Sequence, residues 1–244
     1  GNDVAGRGIA HNLGSVPGCI IVKAYSADAD WHVYHRSVGT GKFLTLNSTS
    51  ATTTNAGSFS TTPTSTVFYP GTSENGSGYN YVAYIFAHDD QSFGTDSDES
   101  IIKCGTFSTD GSQNATVTGL GWEPQWVLFK RTSTTGDWRL HDSMINLSHR
   151  GYAPLNPNTT GAQASHATVT VISATPDGFE IQNTNASSDY IYMAIRRPHK
   201  PPTAATEVFD DVIYNGTAGV QNIVNSLLHS ELTWIKRRTC TDPP

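Results

Sequence analysis

The chain has 244 residues and a net charge of −6, and only 15% of its residues are charged. This acidic balance argues against a nucleic-acid-binding surface, and no apolar stretch is long enough to predict a membrane-spanning segment. Helix-favouring runs are missing while Val, Ile, Thr, Tyr and Phe are plentiful, so the composition predicts an all-β fold with many turns.

The predicted strands in the first part of the chain are short and are separated by Gly, Asn, Asp and Pro residues. They cover 8–11, 19–24, 31–36, 42–47, 66–70 and 80–87. The segment that follows, 89–100, is acidic and poor in apolar residues. We therefore expect it to be a linker between two domains.

Further strands are predicted beyond this linker, at 101–107, 115–118, 125–131, 137–142, 167–173, 178–182 and 189–196. In the segment 167–173, Val alternates with Thr, which is typical of a strand with one apolar face. Short strands at this spacing predict β-sandwiches of the jelly-roll type. The proline-rich segment 197–206 predicts a stiff spacer.

An internal repeat connects the two parts of the chain, because three kinds of residue recur at a spacing of 107. The recurring pairs are Pro17 and Pro124, Lys23 and Lys130, and Trp31 and Trp138. Segments 79–87 and 188–196 also correspond, since each is an apolar strand that contains Tyr. These matches indicate duplicated β-sandwiches whose surfaces have diverged.

The repeat predicts how the chain is divided. We predict tandem β-sandwich repeats at 1–88 (the first repeat) and 101–196 (the second repeat), linkers at 89–100 and 197–206, and a partial third repeat at 207–244. Residues 212–219 of the partial repeat resemble the opening segment 102–111 of the second repeat. The first repeat has no counterpart of that opening strand, which predicts a sheet edge that another strand completes.

The recurring residues are predicted to be structural. Each Lys follows a buried strand as a solvated charge, and each Pro and Trp anchors a strand in the core. The alternative for Trp31 and Trp138 is a platform for a sugar ring, while Trp122, which replaces Ser15 of the first repeat, is a candidate contact surface. The expected cores are Ile20, Val22, Trp31, Val82, Tyr84 and Phe86 in the first repeat, and Val127, Phe129, Trp138, Ile191 and Met193 in the second.

A resemblance to a known family rests on GNDVAGRGIAHNLGSVPGCIIVKAYSADADWHVYHRSVG at 1–39 and on YVAYIFA at 81–87. These segments resemble a repeated β-domain of bacteriophage tail-fibre and related virion appendage proteins. The second repeat is less similar: it keeps Pro124, Lys130 and Trp138 but has TVTGLG where the family prefers IxHxLG. The resemblance implies a location on the virion and a structural or host-recognition role, and it supplies no catalytic residues.

Candidate chemistry is sparse. His32 and His35 lie three positions apart on a predicted strand and so point to opposite faces, which makes a shared metal ion unfavourable. The segment 89–100 has carboxylates but not the spacing of an EF-hand calcium loop. Motifs of serine hydrolases, zinc proteases and P-loop proteins are missing, so we predict no catalytic residue, metal or cofactor. The cysteines, which form no CxxC pair, are expected to be reduced and buried: Cys19, Cys104 and Cys240.

These observations predict a non-enzymatic structural protein of a phage tail fibre or similar appendage, located on the virion and extracellular when assembled. Its expected partners are other copies of itself in a homotrimer, other virion proteins and, through host recognition, a surface glycan. The alternative is an extracellular carbohydrate-binding adhesin module. A hydrolase is the least favoured of the three hypotheses.

Overall fold

The computed structural model describes residues 1–4, 6–88, 100–144, 147, 154–162 and 170–196. All of these residues belong to a compact unit that spans Gly1–Pro198. The proline-rich spacer, the partial third repeat and most of the acidic linker lie outside the described residues, so what the sequence indicates about them stays a prediction.

The described residues form fifteen strands and no helix, which confirms the all-β prediction. The first eight strands are β1 (Ile9–Ala10), β2 (Pro17–Ala24), β3 (Trp31–His35), β4 (Lys42–Thr45), β5 (Thr53–Thr54), β6 (Ser58–Thr61), β7 (Val67–Gly71) and β8 (Tyr81–Ala87). The other seven are β9 (Ile102–Ser108), β10 (Ala115–Val117), β11 (Pro124–Arg131), β12 (Trp138–Asp142), β13 (Val171–Thr175), β14 (Gly178–Gln182) and β15 (Asp189–Arg196). The short strands β5 and β6 were not predicted, because their Ser and Thr residues show no apolar alternation.

The strands form four antiparallel sheets with the orders β1-β7-β6, β5-β4-β3-β2-β8, β12-β11-β15-β9 and β10-β14-β13. The two larger sheets face each other across one apolar cluster, which we call the central core. Each larger sheet packs its other face against one of the three-stranded sheets. The result is two sandwiches, one from each repeat, that share a further core between them.

Strand β2 lies inside the five-stranded sheet and buries both of its faces. Ile20 and Val22 point toward the sheet β1-β7-β6, whereas Cys19 and Ile21 point into the central core. Because neighbouring side chains on a strand point to opposite faces, a strand covered on both sides requires a continuous apolar run. The run at 19–22 meets that requirement.

Strand β11 has the same two-sided burial in the second repeat. Val127 and Phe129 face the sheet β10-β14-β13, and Leu128, between them, faces the central core. The expectation of one core for each repeat is therefore wrong. Each predicted set mixed residues from both faces of a sheet. In the first repeat, Ile20 and Val22 lie in a different core from Trp31 and Phe86. In the second repeat, Val127 and Phe129 lie in a different core from Trp138, Ile191 and Met193.

The two repeats share one pattern of strand pairing. Equivalent positions have equivalent cross-strand partners: Lys23 with Trp31 and Lys130 with Trp138, and Ala24 with Tyr81 and Arg131 with Tyr190. Strands β2 and β11 both begin at a buried proline, Pro17 or Pro124, and in both the register shifts directly after it. The spacing of 107 in the sequence thus corresponds to a repeated hydrogen-bonding pattern.

We expect Leu128→Ala and Phe129→Ala each to lower the free energy of unfolding by about 2–5 kcal/mol, because both side chains are buried although they point to opposite faces of β11. Urea titration measures both values. Met144→Ala is the control, since Met144 is 87% exposed and its loss should change stability by less than about 0.5 kcal/mol. A Leu128→Ala protein as stable as the control would show that the central core contributes little.

Candidate functional site

Two of the recurring residues, Lys130 and Trp138, lie where the two repeats meet, and polar groups connect the repeats there. Trp138 Nε1 donates to Thr45 O at 2.8 Å, Lys130 Nζ donates to Thr49 O at 3.1 Å, and His35 Nε2 lies 3.0 Å from Tyr192 O. Cys104 N also donates to His88 Nδ1 at 3.1 Å. Backbone bonds run from Thr52 N to Thr132 O and from Gly136 N to Thr49 O. Directional bonds therefore add to the apolar contacts and fix how the two sheets lie against each other.

Lys130 is completely buried, and its ammonium group donates to two backbone carbonyls, Thr49 O at 3.1 Å and Gly136 O at 2.8 Å. Burial lowers the pKa of Lys130 to about 8, with a smaller contribution from the positive charge of Arg131. The prediction of a solvated charge is wrong for this residue. It failed because the sequence does not indicate that the other repeat covers the end of the strand.

Lys23 occupies the equivalent position in the first repeat but has different surroundings. Its side chain is half-buried, and Nζ donates to Ala29 O at 2.5 Å and to Ala27 O at 3.4 Å. Ala29 corresponds to Gly136 in the repeat, so both lysines close the loop of their hairpin in the same way. Lys130 also bonds to the other repeat through Thr49 O, whereas both bonds of Lys23 lie within its own hairpin loop.

Trp31 and Trp138 open equivalent strands with equivalent backbone bonds. Trp31 N donates to Asn47 Oδ1 at 3.0 Å, and Trp138 N donates to Asn158 Oδ1 at 2.9 Å. Trp138 is 2% exposed in the central core, whereas Trp31 is half-buried and its ring lies 6.2 Å from the ring of Tyr84. Sequence reasoning missed the two asparagines because they follow their Trp residues by 16 and 20 positions and so do not share the repeat spacing.

Trp122, the candidate contact residue, lies in the core between the four-stranded sheet and its outer sheet. It is 4% exposed, so its ring cannot form a surface for a partner. The contact-surface prediction is therefore wrong. The residue differs from Ser15 of the first repeat because the two outer cores are filled differently, and Ser15 is itself buried.

A groove of about 380 Å³ is lined by residues of both repeats, and we call it the hydroxyl groove. Its polar side chains are six hydroxyl groups, one ammonium and one carboxylate: Ser37, Thr52, Thr106, Ser108, Thr132, Ser133, Lys42 and Asp189. Asp189 Oδ1 accepts a hydrogen bond from Ser108 Oγ at 2.6 Å. The two aromatic residues of the lining, Phe107 and Tyr190, are buried. The groove therefore offers donors and acceptors to a polyhydroxylated ligand but no exposed ring for stacking.

The two histidines weighed as metal ligands lie on opposite faces of β3, as predicted. His32 Nδ1 lies 2.6 Å from Glu74 Oε1, which also accepts from Ser58 Oγ, so the buried carboxylate is satisfied. His35 points to Tyr192 O across the central core, and burial lowers the pKa of His35 to about 4. In the part of the chain that the structure describes, no three His, Cys, Asp or Glu residues are placed to hold a metal ion.

Cys19 and Cys104 are buried in the central core, and neither forms a disulfide. Burial raises the pKa of Cys19 to about 12, and it raises the pKa of Cys104 well above its usual value. Both thiols therefore stay protonated and poorly nucleophilic at neutral pH. The expectation of reduced, buried cysteines is confirmed for these two residues, while Cys240 lies outside the described residues.

An all-β protein of two sandwiches joined through a shared core is the class that these features define. Residues 1–198 match the model of a family described as a domain of unknown function (DUF7483), and the chain belongs to this family. The match covers both predicted repeats and ends where the compact unit ends. Comparison with curated proteins and with solved structures finds no match. Among the described residues, no helix has the length and apolar character needed to cross a bilayer.

We expect the contribution of Lys130 to stability to change in the alkaline range. The pKa of Lys130 is about 8 in the folded protein and 10.5 in the unfolded chain, so between these values the unfolded chain binds more protons. Stability therefore rises with pH in this window: below it the full cost of burying the ammonium is present, and above it that cost is absent. Relative to Lys130→Met, the free energy of unfolding of the wild type should rise by roughly 1–3 kcal/mol between about pH 7 and about pH 10.

Paired urea titrations of the wild type and Lys130→Met across this pH range measure the difference. Ionisation of Cys19 and Cys104 in the unfolded chain is common to both proteins and cancels. Lys42→Met, at an exposed position, is the matched control. A difference in the free energy of unfolding between the wild type and Lys130→Met that stays constant with pH would contradict the assignment of a buried Lys130 that loses its charge in this range.

Proposed function

We propose that this chain is a non-enzymatic structural component of a phage virion appendage, such as a tail fibre. The observation that carries the proposal is the use of the recurring residues. Lys130 and Trp138 both bind backbone carbonyls of the other repeat. In the second repeat, residues that recur at the repeat spacing thus also join the two sandwiches, as is expected in a protein whose task is to maintain its own shape.

The joint between the repeats has the properties of a rigid connection. Two sheets packed face to face interdigitate at the density of a protein core, which opposes rotation of one sandwich against the other. The bonds to Thr45 O and Thr49 O also oppose sliding. A flexible linker alone would leave the two sandwiches free to reorient. Stiffness of this kind suits an appendage that holds its tip at a distance from the particle.

The sequence at 1–39 and 81–87, which resembles a repeated domain of virion appendage proteins, supports the proposed location. Appendage proteins of this kind are extracellular in the assembled particle and form symmetric oligomers. We therefore propose a homotrimer in contact with other virion proteins, with a contribution to host-surface recognition as a secondary role.

We expect the chain to be present in mature phage particles produced from the genome that encodes it. Mass spectrometry of purified particles should detect its peptides, and gold-labelled antibodies against it should mark an appendage rather than the head. An antibody against the major capsid protein provides the control on the same grids. Purified particles that lack the chain would contradict the proposed function.

The hydroxyl groove favours a second candidate function, recognition of a surface glycan by a non-enzymatic adhesin module. Sugar hydroxyls pair with carboxylates and with Ser and Thr side chains, and the groove is large enough for a small saccharide. The groove is formed by both repeats together, so each of its polar side chains is needed once. This explains why these side chains do not recur at the repeat spacing.

We expect Asp189→Ala to weaken glycan binding at least about tenfold if the groove is the site, because a charge-assisted hydrogen bond is lost. A glycan array identifies the ligand of the wild type, and calorimetry then measures the variant. Asp28→Ala is the matched control, since Asp28 is exposed and is not part of the groove lining. A wild type that binds no glycan, or two variants that bind equally well, would exclude this candidate.

A further inference from the structure

Strands β8 and β15 are equivalent in the two repeats but differ in their second neighbour. β8 pairs with β2 as β15 pairs with β11, over matching registers. The other edge of β15 is paired with β9, from Asp189 opposite Ser108 to Ile195 opposite Ile102. Within the described ranges of the chain, no strand pairs with the corresponding edge of β8.

The missing neighbour leaves β8 more exposed than β15. Ile191 and Met193 are each 3% exposed, so the sheet interior continues on both sides of β15. Tyr84, which matches Met193 in register, is 47% exposed, and Val82, which matches Ile191, is half-buried. The same strand type is thus fully covered in one repeat and half covered in the other.

The edge of β8 lacks the charged residues and prolines that block strand pairing. Its sequence, YVAYIFA over Tyr81–Ala87, contains no charged residue and no proline. Among the described residues, no strand pairs with the backbone N–H and C=O groups on this edge, which lie beside apolar side chains. Addition of a strand satisfies those groups and buries the side chains, which is the basis of recognition by strand addition.

We propose that the open edge of β8 binds residues 213–217 of a second copy of this chain as an added antiparallel strand, in the register that β9 has with β15. The inference goes beyond the proposed function, because self-association through this edge does not depend on where the protein is located. A contact of this kind joins two different surfaces, and a heterologous contact closes into a ring or continues as a filament. A ring of three agrees with the proposed homotrimer.

The donor segment is identified by its match to β9. Residues 102–106 of β9 are IKCGT and residues 213–217 are IYNGT, so Ile, Gly and Thr coincide. The glycine has a structural reason in β9, because a Cβ on Gly105 would come within 2.6 Å of the Tyr192 ring opposite. The matching position on β8 is Ala83, so a strand of the same pattern meets a smaller neighbour there.

The length of the intervening chain allows this contact between copies. Residues 197–212, which lie outside the described part of the chain, connect the end of β15 to the donor segment. A chain of this length spans about 50 Å when extended. This length is enough for the donor segment, which follows the unit Gly1–Pro198 in sequence, to reach the β8 edge of a neighbour.

Sedimentation of the full chain over a wide range of concentrations tests the proposal, and we expect reversible self-association of the wild type. Tyr84→Lys places a charge on the β8 edge. Tyr214→Pro removes a backbone donor that would face β8, because Tyr214 matches Lys103, whereas the N–H of Cys104 points away from β15 to His88 Nδ1. Each variant should weaken association at least about tenfold. Met144→Lys is the matched control, because it adds the same charge at a position that is 87% exposed and distant in sequence from β8.

A third variant adds a strand that would pair with the β8 edge within the same chain, so that the edge is no longer open to a second copy. Thr109 N donates to Ser188 O at 3.0 Å where β9 ends, and Gly1 N donates to Tyr79 O at 2.5 Å at the matching place beside β8. A copy of residues 102–108 fused directly before Gly1 is therefore positioned to pair with β8 within the same chain. We expect the fused protein to be monomeric and to unfold at a higher temperature than the wild type.

Three results would overturn the proposal. One is a wild-type chain that stays monomeric at every concentration. Another is association of unchanged strength in both Tyr84→Lys and the fused chain. The third is loss of association in Tyr84→Lys with full association in Tyr214→Pro, which would assign the edge to a different strand. None of these results bears on whether the protein is found in phage particles, so the two proposals fail separately.

Discussion

Burial of both faces of the two central sheets is the constraint on which the rest of the structure depends. An antiparallel sheet usually packs one face and leaves the other to water, which allows polar residues at every second position. Here the outer sheets cover one face of each central sheet, and the two central sheets cover each other. Strands β2 and β11 consequently have apolar residues at consecutive positions, and polar groups that reach the central core must find partners across it.

Lys130 illustrates how such a partner is found. Its alkyl chain passes along the central core while its ammonium ends at two backbone carbonyls, Thr49 O and Gly136 O. Taking the charge out of water is unfavourable, as the lowered pKa of Lys130 shows. The bonds offset part of this cost only when the loop that carries Thr49 is in one position, so the lysine selects a single placement of the first repeat against the second. Lys23, which is half-buried beside its own loop, does not have this requirement.

The sequence was sufficient to predict most of the strands, though not β5 and β6, and the pairing of equivalent residues, because both depend on local alternation and on a constant spacing. It was not sufficient to predict which faces are covered. The runs CIIV at 19–22 and WVLF at 126–129 contained a signal for two-sided burial, since a half-buried strand alternates. The surroundings of Lys130 and Trp122, the hydroxyl groove and the partners of the two Trp backbone groups depend on how one repeat meets the other, or on loops whose lengths differ between repeats. No pattern within a single repeat carries that information.

The asymmetry between the repeats also explains why they are similar in pattern and different in residues. Equivalent positions share backbone geometry but not surroundings: Trp138 is enclosed while Trp31 is half-buried, and Met193 is enclosed while Tyr84 is 47% exposed. The packing requirements therefore differ between the two members of a pair, and Tyr84 and Met193 are different residues although the hydrogen-bonding pattern persists. Lys23 and Lys130 keep their identity, and each makes an equivalent contact within its own hairpin. For the lysines, retention therefore accompanies a local bond that both repeats make, whereas Tyr84 and Met193 differ because β15 is covered by β9 and β8 is half exposed.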